Sequence, residues 1–233
     1  MWWILTASGA VQPILLPNIP STFLALGNLV THPELILNAV GTTSGTVVIA
    51  FVIAGVVGVV IGLVVGSRPL LSRAYEPLLA NLSAVPIILL YPLLLGAMGS
   101  GPAAKILVGV IVAALPIAIA TQSAERSVDQ DLVTASRSMG ASRRAVIGSV
   151  VLPSIFPHIF TGLRTGLGLT IVTVVAGEFL SSTSGIGYEL AQTSEAFHTA
   201  DLFAWLVVTL IFTAVFIGVL SAIEALVERK VST

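Results

Sequence analysis

An all-α polytopic membrane protein is the fold class this sequence predicts, with five transmembrane helices and a short or partial N-terminal one. Three observations predict it. Of the 233 residues, 56% are hydrophobic and only 9% are charged, against about 25% charged in a soluble domain. Five apolar runs reach the roughly 20 residues that a helix needs to cross the hydrocarbon core. The Lys and Arg residues collect in alternate connections between those runs, the asymmetry expected when one side of a membrane faces the cytoplasm.

The runs follow one another along the chain. Ala39–Val65 is the clearest, rich in Val, Ile and Gly, and it closes at Gly66-Ser67-Arg68-Pro69. Pro77–Met98 follows, interrupted by Pro86 and Pro92, and then Ala103–Ala124 with Pro116 inside. Ile155–Leu180 begins beside Pro157, and Leu202–Val227 is the last. Met1–Leu16 is apolar but short and has no cationic start, so it reads as a short or partial first span and not as a signal peptide. Pro17–Asn38 reads as a surface loop with a short amphipathic helix. The internal prolines predict kinks, tolerated where neighbouring helices or cavity water satisfy the freed carbonyls. Gly55, Gly58 and Gly62 permit close helix packing. No internal repeat or soluble domain is visible, so residues 1–233 read as a single membrane domain with a polar loop, 125–153, inside it.

Orientation follows from the cations. Arg68 and Arg73, then Arg126, Arg137, Arg143 and Arg144, then Arg229 and Lys230 all fall on one side, which is therefore cytoplasmic along with the C-terminus. Lys105 falls in a loop on the other side. Ser181–Asp201 carries Glu189, Glu195 and Asp201 without a cation and reads as outward. The net charge of −1 offers no basic face for nucleic acid. The absence of cysteine excludes disulfides and thiolate chemistry. His32, His158 and His198 have no metal-ligand spacing.

The central loop is the most informative segment. Asp129 or Asp131 can cap a helix beginning near Leu132. Leu132, Ala135 and Met139 recur at helical spacing as one apolar stripe. Gly140 ends that helix as a C′ glycine. Ser142 can cap a second helix bearing Val146, Ile147 and Val150, which Pro153 terminates. Such a pair of short helices lies at the lipid headgroups or inserts as a knob into a cleft of a soluble partner.

The spacing resembles the EAA loop of permease subunits of ATP-binding cassette (ABC) importers, whose pattern is Glu-Ala-Ala, three residues, Gly, nine residues, then Ile-x-Leu-Pro. Here the triplet is Thr134-Ala135-Ser136, the glycine is Gly140, and the close is Val150-Val151-Leu152-Pro153. Thr134 stands where the family usually has Glu, which removes an ionic contact to the ATPase. Other segments resemble the nitrate/sulfonate/taurine branch: Leu16-Pro17-Asn18-Ile19-Pro20, Ser83-Ala84-Val85-Pro86, Tyr91-Pro92-Leu93-Leu94, Thr161-Gly162-Leu163-Arg164, Ala176-Gly177-Glu178-Phe179-Leu180 and Ser184-Gly185-Ile186-Gly187-Tyr188. The resemblance implies a type I ABC importer permease fold. It implies an ATPase-coupling loop in which Leu132, Thr134, Ala135, Ser136, Met139, Gly140, Arg143, Leu152 and Pro153 take part. The implied assembly is a homodimer in the lipid bilayer, with two copies of an ABC ATPase subunit and an extracytoplasmic solute-binding protein. The chain itself would bind no cofactor and catalyse nothing, ATP and Mg being held by the ATPase. The solute would be a small organic or inorganic anion or a related small molecule.

Glu178 is the one acidic residue well inside an apolar run, and no nearby in-span cation is expected to neutralise it. A carboxylate at that depth faces a bundle interior or a water-filled path. It reads either as a pathway or gate residue or as a structural acid bonded to a neighbouring helix. Thr43, in a hydroxyl cluster with Thr42, Ser44 and Thr46, reads either as pathway lining or as bonding back to helix carbonyls. Asn81 and Ser83, just before Pro86, divide the same way between pathway lining and helix–helix bonds. The competing functions are a stand-alone secondary transporter or channel, which calls for more in-span ionisable groups or inverted repeats, and an intramembrane enzyme, which lacks a nucleophile–base or metal constellation.

Overall fold

The computed structural model describes Trp3, Thr6, Gln12 and residues 14–231. The partial span expected over Met1–Leu16 falls largely outside the described residues. The elements after it are all helical: α1 Ile19–Thr31, α2 Pro33–Gly66, α3 Pro69–Ala84, a 3₁₀ turn Ile87–Leu90, α4 Tyr91–Met98, α5 Pro102–Arg126, α6 Gln130–Ser138, α7 Arg143–Val146, a π turn Ile147–Val151, α8 Leu152–Leu180, α9 Ile186–Glu195 and α10 Thr199–Val231. Four helical stretches are long and apolar enough to cross a membrane (Pro33–Gly66, Pro102–Arg126, Arg144–Leu180 and Thr199–Arg229), and the interrupted pair Leu70–Ser83 and Ile87–Met98 makes up to five.

The caps explain several boundaries. Asn18 caps α1, its Oδ1 accepting from the Ser21 amide at 2.9 Å. Pro33, Pro69 and Pro102 each occupy the first helical position of α2, α3 and α5, where proline has no amide to lose and its φ is already helical. This corrects two expectations. The first full span starts at Pro33, not Ala39, so residues 33–38 are helix and not surface loop. The second begins at Pro69, not Pro77, and Pro77 lies inside it. That span is broken at Val85, whose extended backbone (φ −73°, ψ 124°) is the conformation a following proline imposes.

Pro153 does not terminate a helix either. The chain runs helically from Arg143 through Pro153 and Pro157 to Leu180. The π turn at 147–151 directly precedes Pro153 and re-routes the backbone ladder there, as a π-bulge does. The expected start at Ile155 is therefore too late.

The chain divides into two compact units. One comprises residues 1–49, 90–106 and 171–215, and the other residues 50–89, 107–170 and 216–233. The second unit is built on glycine contacts. A Cβ on Gly58 of α2 would lie 2.7 Å from the Ala114 carbonyl oxygen, and one on Gly62 would lie 2.6 Å from that of Ala118. A Cβ on Gly162 of α8 would lie 2.6 Å from Ala120 Cβ. Both helices therefore lie backbone-close against α5, in the manner of small-residue stripes in membrane bundles. Gly62→Val should lower the thermal stability of the detergent-solubilised protein by several degrees, since overpacking costs about 1–3 kcal/mol. Gly45→Val on the same helix, where a Cβ meets nothing within 4 Å, should leave it unchanged. Equal melting temperatures for the two variants would refute the close contact.

Polar ties join the same unit. Gln122 donates to the hydroxyl of Ser72 at 2.9 Å and to its carbonyl at 3.3 Å, all buried. Arg126 pairs with Glu76, and Arg164 with Glu224 at 2.6 Å.

Candidate functional site

The loop between α5 and α8 is formed by local rules. Asp129 caps α6, its Oδ1 accepting from the Asp131 amide at 2.8 Å. At the other end the Gly140 amide donates to the Arg137 carbonyl at 2.9 Å, and the Ala141 amide to the Ser136 carbonyl at 3.1 Å. Those two bonds are a complete Schellman motif. Its C′ position needs a positive φ, and Gly140 has φ +86°. Ser142 then opens α7, its Oγ accepting from the Ala145 amide at 3.3 Å.

Val133 on α6 and Val146 on α7 are buried with Ala124, Val128 and Ile155. These two residues anchor the short helices. The stripe Leu132, Ala135 and Met139 faces the other way. Leu132 is 53% exposed and Met139 is 88% exposed, and Ala135 is exposed as well. The apolar stripe therefore lies exposed on a helix fixed by both caps, beyond the end of a span. Thr134 is exposed, and its hydroxyl donates back to the Gln130 carbonyl at 2.8 Å. Ser136 is half-buried and supplies the Schellman carbonyl. Leu152 is 46% exposed, and Pro153 is half-buried in the helix that follows. Arg143 opens α7, and its side chain lies outside the described residues.

The second constellation lies in the other unit, at the end of α8. Glu178 is 1% exposed and Thr43 fully buried. The Thr43 hydroxyl donates to Glu178 Oε2 at 2.8 Å, and the Gly187 amide donates to the same oxygen at 3.0 Å. The Ile186 amide donates in turn to Thr43 Oγ1 at 2.9 Å. Thr43 and Glu178 thus take up the first two amides of α9, a side-chain cap assembled from two distant helices, with the carboxylate at the positive end of the helix dipole. The backbone has to come close for this. A Cβ on Gly187 would lie 2.6 Å from Glu178 Cβ and 2.8 Å from the Phe179 nitrogen. Gly185, with φ +113°, turns the chain into the cap.

Lys105 belongs to this cluster. It lies in α5 and is 4% exposed, which corrects its assignment to an external loop and the expectation that Glu178 has no in-span cation near it. Its Nζ donates to Ser182 Oγ at 2.8 Å.

Among the sequence candidates, the structure brings Thr43 and Glu178 into contact. Asn81 and Ser83 lie in the other unit and are exposed, and Ser83 bonds back to the Leu79 carbonyl at 2.9 Å. Thr42 and Thr46 bond back to Asn38 and Thr42 in the same way. Sequence reasoning missed Lys105, Tyr91, Ser182 and Gly187. The signal at hand was Gly185-x-Gly187 after a polar turn, two residues without Cβ where a side chain must approach the backbone. In the same unit, Asn28, His32, Glu189, Thr193, Asp201 and Trp205 line a cleft of about 210 Å³, and burial pushes the Glu189 carboxyl above its ordinary range. Among the described residues, no group of three or more His, Cys, Asp and Glu could hold a metal ion.

A bundle of apolar helices long enough to cross a membrane, with a capped helical loop set between two of them, defines a polytopic membrane protein. Residues 54–233 match the family described as binding-protein-dependent transport system inner membrane component. The chain belongs to that family: it is the permease subunit of an ABC importer and a multi-pass inner-membrane protein. It is 28% identical to the taurine transport system permease protein of Escherichia coli over 207 residues, 87% of this chain and 74% of that one. It is 29% identical to the nitrate import permease protein of Synechocystis sp. over 234 residues, 91% and 82% of the two chains. It is 36% identical to a putative aliphatic sulfonates transport permease protein of E. coli over 164 residues, 68% and 60% of the two chains. In fold it is similar to an amino acid ABC transporter (TM-score 0.63, 16% identity, 87% of this chain and 97% of that one). It is also similar to the inward-facing MetNI methionine ABC transporter (TM-score 0.60, 18% identity, 85% and 94%). These matches decide between the competing functions in favour of the importer subunit over a stand-alone transporter or channel.

Proposed function

We propose that this permease imports a small anion, sulfonate-like or of comparable size and charge, as a homodimer. Each copy docks one ATPase subunit on the 125–153 loop and receives solute from an extracytoplasmic binding protein. The observation that carries the docking reading is the exposed Leu132–Ala135–Met139 stripe on a doubly capped helix. The named relatives, which carry taurine, nitrate and aliphatic sulfonates, support the solute class. ATP and Mg stay on the ATPase, and this chain is non-catalytic. Closure of the ATPases brings the two loops together and biases the spans between inward and outward openings, a coupling between distinct sites. Glu178 gates and does not bind solute: its bonds run to Thr43 and Gly187, and as an anion it would repel an anionic solute.

Copurification tests the assembly. An ATPase should remain with the tagged wild-type chain and be lost from Leu132→Asp/Met139→Asp, while the permease itself stays intact. Retention by that double variant would remove the stripe as the contact. Topology is tested separately in this cysteine-free chain. A cysteine replacing Arg137 should resist a membrane-impermeant thiol reagent added outside intact cells and react after lysis. Ready labelling from outside would reverse the orientation.

A further inference from the structure

The turn between α8 and α9 is tied down at two points. On one side, Thr43 and Glu178 accept the amides of Ile186 and Gly187. On the other, Lys105 donates to the Ser182 hydroxyl, which donates on to the Ser184 carbonyl at 2.8 Å. Three membrane helices, α2, α5 and α8, therefore hold one short turn.

The charges in this arrangement are unusual. Glu178 is buried, and only its Oε2 is bonded. Its Oε1 has no hydrogen-bond partner among the described residues, and neither has the buried Tyr91 hydroxyl. A buried carboxylate with half of its acceptors unused is stabilised by a cation in the same cluster. Lys105, 4% exposed, stands in that cluster and bonds the same turn through Ser182. The helices that carry them meet at Gly177, where a Cβ would lie 3.1 Å from Lys105 Cγ and 3.3 Å from the Tyr91 ring. Glycine immediately before Glu178 is what lets the lysine stem pass.

We propose that Lys105 is a positioning residue. By balancing Glu178 and bonding Ser182, it holds the 181–187 turn and the start of α9 against the membrane helices, so the turn moves only when the pair separates. Its transport consequence rests on the gating role given to Glu178 above. In that setting, α9 is the part released when loaded binding protein engages, and Lys105 keeps hydrolysis low until then.

Ala191 on α9 is 6% exposed, so a cysteine placed there reports release of the helix. In the purified Ala191→Cys permease, adding Lys105→Gln should speed thiol labelling about tenfold, and adding Glu178→Gln should do the same, since each leaves one buried charge unbalanced. The Lys105→Gln/Glu178→Gln pair removes both charges and should return labelling to within about threefold of the parent, the non-additivity of a coupled pair. A purely structural role for each residue would instead give a double variant that labels at the product of the two single effects. That product, or unchanged labelling in either single variant, would overturn the proposal. In the complete transporter, the single variants should hydrolyse ATP without loaded binding protein and the double variant should regain dependence on it. If labelling follows the expected pattern but hydrolysis does not, the positioning role stands and the gating reading of Glu178 falls.

Discussion

Glu178→Leu should leave the permease unable to accumulate in the membrane as an intact protein, while Glu178→Gln should assemble. The leucine removes the acceptor for the Gly187 amide and for the Thr43 hydroxyl, both buried. An unsatisfied buried donor costs about 1–3 kcal/mol. The two donors together cost about 2–6 kcal/mol, a large share of the stability of a typical protein, about 5–15 kcal/mol. Glutamine keeps an oxygen at the cap and loses only the charge. Its variant should therefore be present at near-normal level, with ATP hydrolysis less dependent on loaded binding protein and with the binding protein's own solute affinity unchanged. Membrane abundance with the gel-filtration profile, hydrolysis with and without loaded binding protein, and calorimetric titration of the binding protein with solute measure the three effects. Wild-type abundance and transport for the leucine variant would show that the cap is dispensable.

How much of this was legible in the sequence differed between the two constellations for a physical reason. The 125–153 loop is held by caps, and caps are local: Asp129, Gly140 and Ser142 act on amides and carbonyls within three residues of themselves. Their spacing could be read before any coordinates, and the glycine conformation followed from it. What the spacing could not show is which apolar residues turn inward. Val133 does, and the Leu132–Ala135–Met139 stripe does not, because Ala124, Val128 and Ile155 lie on only one side of α6.

The span boundaries failed at prolines. In the sequence alone, Pro33, Pro69 and Pro153 read as loop or stop signals. The first two start helices, where proline has no amide bond to lose, and the third follows a π turn that re-routes the backbone ladder its ring and missing amide would disrupt. The buried cluster was legible only in part. A lone carboxylate in an apolar run announced an interior site. Its partner Thr43 is 135 positions away, and Lys105 stands four residues after Gly101 at the start of its helix, where a cation reads as solvated. No periodicity connects residues that meet only through tertiary packing.

Gly140→Val should uncouple the permease from its ATPase without unfolding it. Gly140 has φ +86°, a region that a β-branched residue occupies at a cost of about 1–3 kcal/mol. A Cβ there would meet nothing within 4 Å, so the effect is one of backbone conformation and not of collision within this chain. Valine breaks the Schellman closure, freeing the Arg137 and Ser136 carbonyls and letting α6 turn relative to α7. The stripe then no longer presents one rigid face. Recovery of ATPase with the tagged permease should fall about tenfold, the equivalent of about 1.4 kcal/mol, while the thermal stability of the membrane helices changes little. Gly140→Asn separates the causes, because asparagine tolerates the left-handed region. It should retain most of the ATPase although its side chain is as large as valine's. If asparagine and valine are equally damaging, the defect lies in the volume added at the partner's surface, and the backbone argument for Gly140 is wrong. If both retain the ATPase at wild-type level, the turn at Gly140 is not needed for docking.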